Sequence, residues 1–278
     1  MAKILRIPNS ILMMVVILAA ITTASTATSP TPPPQAAGYS LVFYDNFSNL
    51  NLAPDAITNE YPWYRGIWYE SLPSPFTASN GPSGLQLTWN KGQATYDTTI
   101  SSCGQSGIHC QAFHYGYFEA SIKWDPYVGA WPTFWMIPVQ NIWHATETGE
   151  LDIMEGHYDA KLGPQTYSTV HDWVIENGVS VDVANNGGQN LVTVPRGTNF
   201  AQWHTYGMLW VPGKVTWYFD NVQVLSYPTM PIFDASPAQY YYIMLGAQEG
   251  VNWQGGNTTG MTANSLNMYV QWVKAWQQ

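Results

Sequence analysis

Between Gly149 and Gly156 the chain reads GELDIMEG, which places three carboxylates within six residues of an otherwise apolar run that must sit in a sheet. The alternation confines the segment to a strand: Glu150 and Asp152 project from one face, while Leu151 and Ile153 enter the core from the other. Glu155 is out of phase. Strict alternation would bury it beside the leucine and isoleucine, where an unpaired carboxylate is costly. A β-bulge around Ile153 and Met154 is therefore expected to return it to the acidic face.

Distance then suggests a chemistry. Five residues with a bulge advance about four strand steps, or roughly 13 Å at about 3.3 Å each. Two glutamates leaning inward by about 4 Å apiece end about 5 Å apart, close to the roughly 5–5.5 Å of a retaining glycosidase pair and too close for an inverting one. Asp152 lies between them, so ionising all three together is costly and a proton stays in the cluster for a general acid to donate. The same spacing also suits a solvent-facing acidic strand or a ladder of calcium ligands.

Charge narrows the partners. Only 10% of the 278 residues are charged, with nine lysines and arginines against eighteen acids. Nucleic acid and anionic membranes are excluded as partners on that balance, and a sulfated polysaccharide is disfavoured. Fourteen tryptophans and eighteen tyrosines offer flat faces for sugar rings, although most aromatics in a large sandwich are core. A neutral polysaccharide fits best. No cofactor is expected.

Residues 1–27 read as a secretory signal: Lys3 and Arg6, an apolar run from Ile11 to Ile21, then small residues ending near Ala24 or Ala27. The run is too short to span a membrane comfortably. Residues 28–38, which include SPTPPP, read as a stiff proline-rich linker. The expected product is a secreted monomer, free of the membrane after cleavage, whose folded domain occupies residues 39–278. Cys103 and Cys110 can close a small disulfide loop worth roughly 2–3 kcal/mol in an oxidising compartment. A metal site using His109 would have too few ligands.

Beyond the linker the chain has no internal repeat and no long helical period, only short alternating runs with Gly, Pro and Asn between them. Strand candidates include Tyr117 to Trp124, Thr133 to Ile137, Thr166 to His171, Val215 to Phe219, Tyr241 to Leu245 and Met268 to Val273. The expected class is all-β, a sandwich of two curved antiparallel sheets with the inner one concave enough for a linear glycan.

GELDIMEG resembles the glycoside hydrolase family 16 signature, E-x-D-x-x-E preceded by glycine. Further landmarks run from Leu41 to Trp276: FYDNF (43–47), YGYFEASIK (115–123), GAWPTFWMIP (129–138), WHTYGMLWVPGKVTWYFDN (203–221) and MYVQWVKAW (268–276). The resemblance implies a concanavalin A-like β-jelly-roll and a retaining endo-glycosidase. It makes Glu150 the nucleophile, Glu155 the acid/base, Asp152 an electrostatic helper and His171 an assistant on the neighbouring strand. It assigns Trp131 and Trp135, four apart on one strand face, to sugar subsites, and Trp253 to a late loop on the other side. Trp143, His144, His157 and Arg65 are further rim candidates.

The extra residue in E-x-D-x-x-E resembles the laminarinase, agarase and carrageenase branches, and charge argues against carrageenan. The implied substrate is β-1,3-glucan first, or β-1,3-1,4-glucan, with agarose or a bacterial exopolysaccharide as alternatives. Transglycosylation through the same ester is a further alternative. A non-catalytic lectin would have lost carboxylates and kept calcium ligands, the reverse of this pattern. Family members often hold a convex-face calcium through acids at the positions of Asn46 and Gln271, so no bound metal is expected. Tyr117 stands where the family usually has arginine. Asn46 and Asn257 open glycosylation sequons that matter only in a eukaryotic secretory pathway.

Overall fold

Strand Gly84–Asn90 buries every second residue, Leu85, Leu87 and Trp89, and that period of two recurs through the chain. The computed structural model describes residues 30–278 except 54–60, 67–75, 82, 95–97, 106, 108, 143–144, 160–161, 185–189, 193, 251–260 and 262. The proposed signal, Trp143, His144, Trp253 and Asn257 lie outside the described residues.

In chain order the strands are β1 (Ser40–Asp45), β2 (Tyr64–Arg65), β3 (Ala78–Gly81), β4 (Gly84–Asn90), β5 (Thr99–Ser101), β6 (Ala112–Phe113), β7 (Gly116–Trp124), β8 (Ala130–Pro138) and β9 (Glu147–Asp159). They continue as β10 (Gly163–Glu176), β11 (Val179–Asp182), β12 (Asn190–Leu191), β13 (His204–Val211), β14 (Lys214–Phe219), β15 (Val222–Pro228), β16 (Tyr241–Glu249) and β17 (Ser265–Gln277). Every strand candidate read from the sequence falls inside one of them. One sheet runs β15-β14-β13-β7-β17-β4-β3, with β1 paired to β17. The other runs β11-β10-β9-β8-β16-β5-β2, with β12 on β10 and β6 on β16. All pairings within both sheets are antiparallel.

The sheets close on a shared core. Phe118, Ile122, Trp210, Trp217, Met268 and Val270 from the first meet Phe134, Met136, Leu151, Met154, Ile243 and Leu245 from the second. Burial along β16 hides its alternation, because both of its faces are covered. Tyr241, Ile243 and Leu245 enter the main core, whereas Tyr242 and Met244 join Trp135, Ile137, Val139 and Cys103 in a smaller cluster on the opposite face. Cys103 and Cys110 form the expected disulfide, and it packs into that cluster.

The bulge lies where burial arguments put it. Tyr167 pairs with Glu155 and Thr169 with Asp152, so Ile153 and Met154 stand opposite Ser168 alone. Toward β8, Met154 pairs with Phe134 and Asp152 with Trp135, making Ile153 the extra residue. Both bulge side chains are core, with Ile153 3% and Met154 0% exposed. Two donors take up carbonyls in the distorted ladder: Trp217 Nε1, reaching across the core, donates to Asp152 O at 2.9 Å, and Ser168 Oγ to Ile153 O at 2.9 Å. The flanking glycines are required by packing. A Cβ at Gly149 would strike the Tyr241 hydroxyl and the Phe233 ring, and one at Gly156 the Pro132 ring.

The linker reading needs correction at its end. Pro34–Ala36 form a 3-10 turn whose Ala36 is fully buried against Tyr117 and Trp276. Gln35 Nε2 donates to Tyr117 Oη at 2.6 Å and to Asn221 Oδ1 at 2.9 Å. The described unit accordingly begins at Pro32, not at Tyr39. The proline run looked like a spacer by composition, but an alanine and a glutamine after it match a buried seat and a buried phenol. This also explains Tyr117, which is the floor of that seat. A chain beginning at Tyr39 is expected to melt below one beginning at Pro32, by about 2–4 °C for each kcal/mol of lost packing and hydrogen bonding. Equal melting temperatures by calorimetry would show the turn to be idle.

Candidate active site

The face of β8, β9 and β10 turned away from the core carries the acidic residues. Glu150, Asp152 and Glu155 project from β9, and Thr169, His171 and Trp173 from β10 beside them, on the side opposite Leu151 and Val170. Asp152 and Glu155 are buried, at 3% and 6% exposed, and Glu150 is half-buried.

Each glutamate has an indole donor. Trp173 Nε1 donates to Glu150 Oε2 at 2.7 Å, and Trp131 Nε1 to Glu155 Oε1 at 3.0 Å. Thr169 Oγ1 adds a longer contact to Glu155 Oε2 at 3.5 Å. His171 lies flat against Trp173, with ring centres 5.1 Å apart and planes 20° from parallel. Its Nε2 is 3.1 Å from Asp152 Oδ2 and its Nδ1 2.8 Å from Asp182 Oδ2.

Protons are held tightly across this cluster. Burial, then the neighbouring Asp152 charge, pushes the Glu150 carboxyl up to about 8 against the pull of His171 and Trp173. The same two causes drive Glu155 well above the usual carboxylate range. Burial alone would lower His171, but hydrogen bonds to Asp152 and Asp182 override it and carry the imidazole up to about 11. Near neutral pH the arrangement favours a proton on each glutamate, with the His171 cation opposing the Asp152 charge that raises them both.

Glu150, Asp152 and His171 bring their oxygen and nitrogen atoms within 4.8 Å of one another. Both ring nitrogens of His171 face carboxylate oxygens, so both carry hydrogen and neither offers a lone pair to a cation. On the other sheet, Asn46 and Gln271 line one cleft together with Tyr44, Ser48, Asn80 and Trp272. Asn46 Oδ1 accepts from Ser48 N and Gln271 Oε1 from Ser121 Oγ, and among the described residues no carboxylate lines the cleft. That donor set does not fit calcium.

The tryptophans divide. Trp131 is half-buried and touches Glu155, on the open face. Trp135 shares the face but is only 6% exposed, packed with Cys103, Ile137, Tyr242 and Met244 as backing for the surface. His157 meets Tyr167 edge-on at 5.7 Å, and the Arg65 guanidinium lies 5.7 Å from the Phe76 ring. Trp173 and Asp182 escaped sequence reasoning. Trp173 follows His171 by two and so shares its face, a legible signal; Asp182 depends on the β10–β11 pairing of Trp173 with Asp182, which no local pattern reveals.

With this geometry in hand, the comparisons are direct. The model of glycosyl hydrolases family 16 matches residues 71–274. The endo-1,3-1,4-beta-glycanase EglC of Rhizobium meliloti (strain 1021) is 28% identical over 232 residues, covering 78% of this chain and 43% of that protein. Glucan endo-1,3-beta-glucosidase A1 of Niallia circulans is 24% identical over 177 residues, covering 59% of this chain and 24% of that one. The chain thus spans less than half the length of these relatives. In fold it is similar to the laminarinase catalytic domain from Thermotoga maritima MSB8, with TM-score 0.62 and 20% identity over 86% of this chain and 98% of that one.

The Glu150 shift has a stability consequence of definite sign. Its carboxyl is raised on folding from 4.5 to about 8, so the penalty for holding it in place is absent at low pH and grows as pH rises through that window. Glu150→Gln keeps an acceptor for Trp173 and carries no charge. Its melting temperature is expected to match the parent near about pH 4 and to exceed it by several degrees near about pH 9. No gain at alkaline pH would contradict the shift.

Proposed function

The chain belongs to glycosyl hydrolases family 16, and from that premise we propose that it is a secreted endo-glycosidase that cleaves β-glucan with retention, using Glu150 as nucleophile and Glu155 as acid/base. The observation that carries this reading is the pair of glutamates on one face of β9, each oriented by an indole N–H and both raised by burial and by the Asp152 charge. The relatives, an endo-1,3-1,4-beta-glycanase and a glucan endo-1,3-beta-glucosidase, support the substrate class. The shortage of basic side chains supports a neutral polymer.

In the first step Glu155 gives its proton to the glycosidic oxygen as that bond breaks, while the Glu150 carboxylate bonds to the anomeric carbon. In the second, Glu155, now ionised, takes a proton from water as the water oxygen attacks the same carbon and Glu150 departs. Two inversions leave the configuration retained. Asp152 sits between the glutamates and raises both, and the His171 cation beside it limits how far. Trp131 lies against the acid and is the assigned stacking surface for a sugar next to the scissile bond.

Reducing-sugar release on laminarin, barley mixed-linkage glucan and agarose tests the proposal, with Glu150→Ala as control. Cleavage of the first or second substrate is expected, vanishing in Glu150→Ala. Parent-like turnover in that variant would overturn the nucleophile assignment, and cleavage of agarose alone would replace the substrate. Glu155→Ala is expected to lose about 10²–10⁴-fold in kcat on glycan. It should lose far less on an aryl glycoside with a good leaving group, where azide restores turnover.

A further inference from the structure

We infer that Asp182 is a positioning residue of this active site: from an edge strand it fixes His171 by its Nδ1–H, so that the imidazole is kept as a cation with Nε2 held 3.1 Å from Asp152 Oδ2. The inference rests on the catalytic reading for its meaning, but its geometry stands on its own.

Asp182 ends β11, where it pairs with Trp173 of β10. Its carboxylate is fully engaged. Oδ2 accepts from His171 Nδ1 at 2.8 Å, while Oδ1 accepts from the backbone N–H of Asp172 at 3.2 Å and of Ala184 at 3.0 Å. Three donors and 12% exposure of the side chain leave it little freedom to turn away. The imidazole is equally confined: its side chain is 13% exposed, stacked on Trp173, and bounded at Nε2 by Asp152, whose side chain is 4% exposed.

A neutral imidazole has one N–H and one lone pair. With Asp152 as the only acceptor it would satisfy the site in that form. Asp182 removes the option, because a lone pair would then face a carboxylate oxygen at 2.8 Å. Two carboxylates on opposite ring nitrogens therefore demand two protons. Burial works against the Asp182 charge, but the His171 hydrogen bond, the His171 charge and the two backbone donors outweigh it and hold the carboxyl below its ordinary value.

The cation matters to the reaction because it opposes the Asp152 charge that raises Glu150 and Glu155. Facing His171 are Asp152 and Glu150 from β9 and Asp182 from β11, with Glu155 further along β9. On its own strand Asp172 turns toward the core, where burial, Glu147 and Asp182 push it up to about 6. Without Asp182, His171 holds its second proton less tightly, its opposition to the Asp152 charge weakens, and Glu150 ionises at higher pH. Both Asp182 oxygens are taken by His171 and by backbone N–H groups, leaving neither to hold a sugar, so the loss should fall on kcat and its pH dependence, not on KM.

The test is Asp182→Asn with Asp182→Glu beside it, read in two ways. Imidazole NMR of the full domain should show His171 of the parent doubly protonated to pH values well above the ordinary histidine range, and titrating at least one unit lower in Asp182→Asn. The acid limb of kcat/KM should move up by about one pH unit, costing about tenfold on its acid side, with KM changed less than about twofold and Asp182→Glu restoring most of the profile. A parent His171 that titrates near its ordinary value overturns the inference, even if Asp182→Asn does not fold. So does an Asp182→Asn variant with unchanged titration and acid limb. Absence of glycan cleavage by the parent would defeat the proposed function, and the NMR arm would still decide the role of Asp182.

Discussion

One extra residue in β9 sets the rest of the arrangement. A strand with strict alternation can present Glu150 and Asp152 on its outer face or Glu155, but not all three. Ile153 breaks the register on both sides of the strand, toward β8 and toward β10. The break leaves carbonyls out of the ladder inside a dry core, and Trp217 from the opposite sheet and Ser168 from the next strand supply the donors. Apolar packing holds Ile153 and Met154 inward, Gly149 and Gly156 let neighbouring rings close on the motif's ends, and the acidic face is what remains outside.

Electrostatics then turns a cluster into a site. In a chain with few charges, several ionisable groups lie on or beside one stretch of sheet, most of them out of water. Such groups cannot ionise independently: burial and the Asp152 charge drive both Glu150 and Glu155 up, and His171 is kept charged by carboxylates on both sides. The strain this places on the folded state is the ordinary cost of holding a carboxyl poised near neutrality.

The sequence made part of this legible. The period of two in Glu150 to Ile153 and the penalty for burying Glu155 were enough to locate both the face and the bulge. Cys103 and Cys110 were close enough to pair on sight. Long-range pairing was not readable: Asp182 reaches His171 only because β11 folds back on β10, and Trp217 reaches the bulge only because two sheets stack. The turn at Ala36 was hidden by prolines that resemble a spacer. Trp135 illustrates a different limit, since spacing assigns a residue to a face but says nothing of what covers it.

Deletion of Met154 restores strict alternation through the motif while leaving every carboxylate in the chain, so it isolates the bulge itself. In that variant Glu155 falls two residues after Asp152 and stays on the outer face by alternation alone, so glycan hydrolysis should persist at a level that adding Glu155→Ala abolishes, while the lost Met154 packing lowers thermal stability. A Met154 deletion that folds but hydrolyses glycan no better than the same deletion carrying Glu155→Ala would contradict the claim that the bulge serves to bring Glu155 into phase with Glu150 and Asp152.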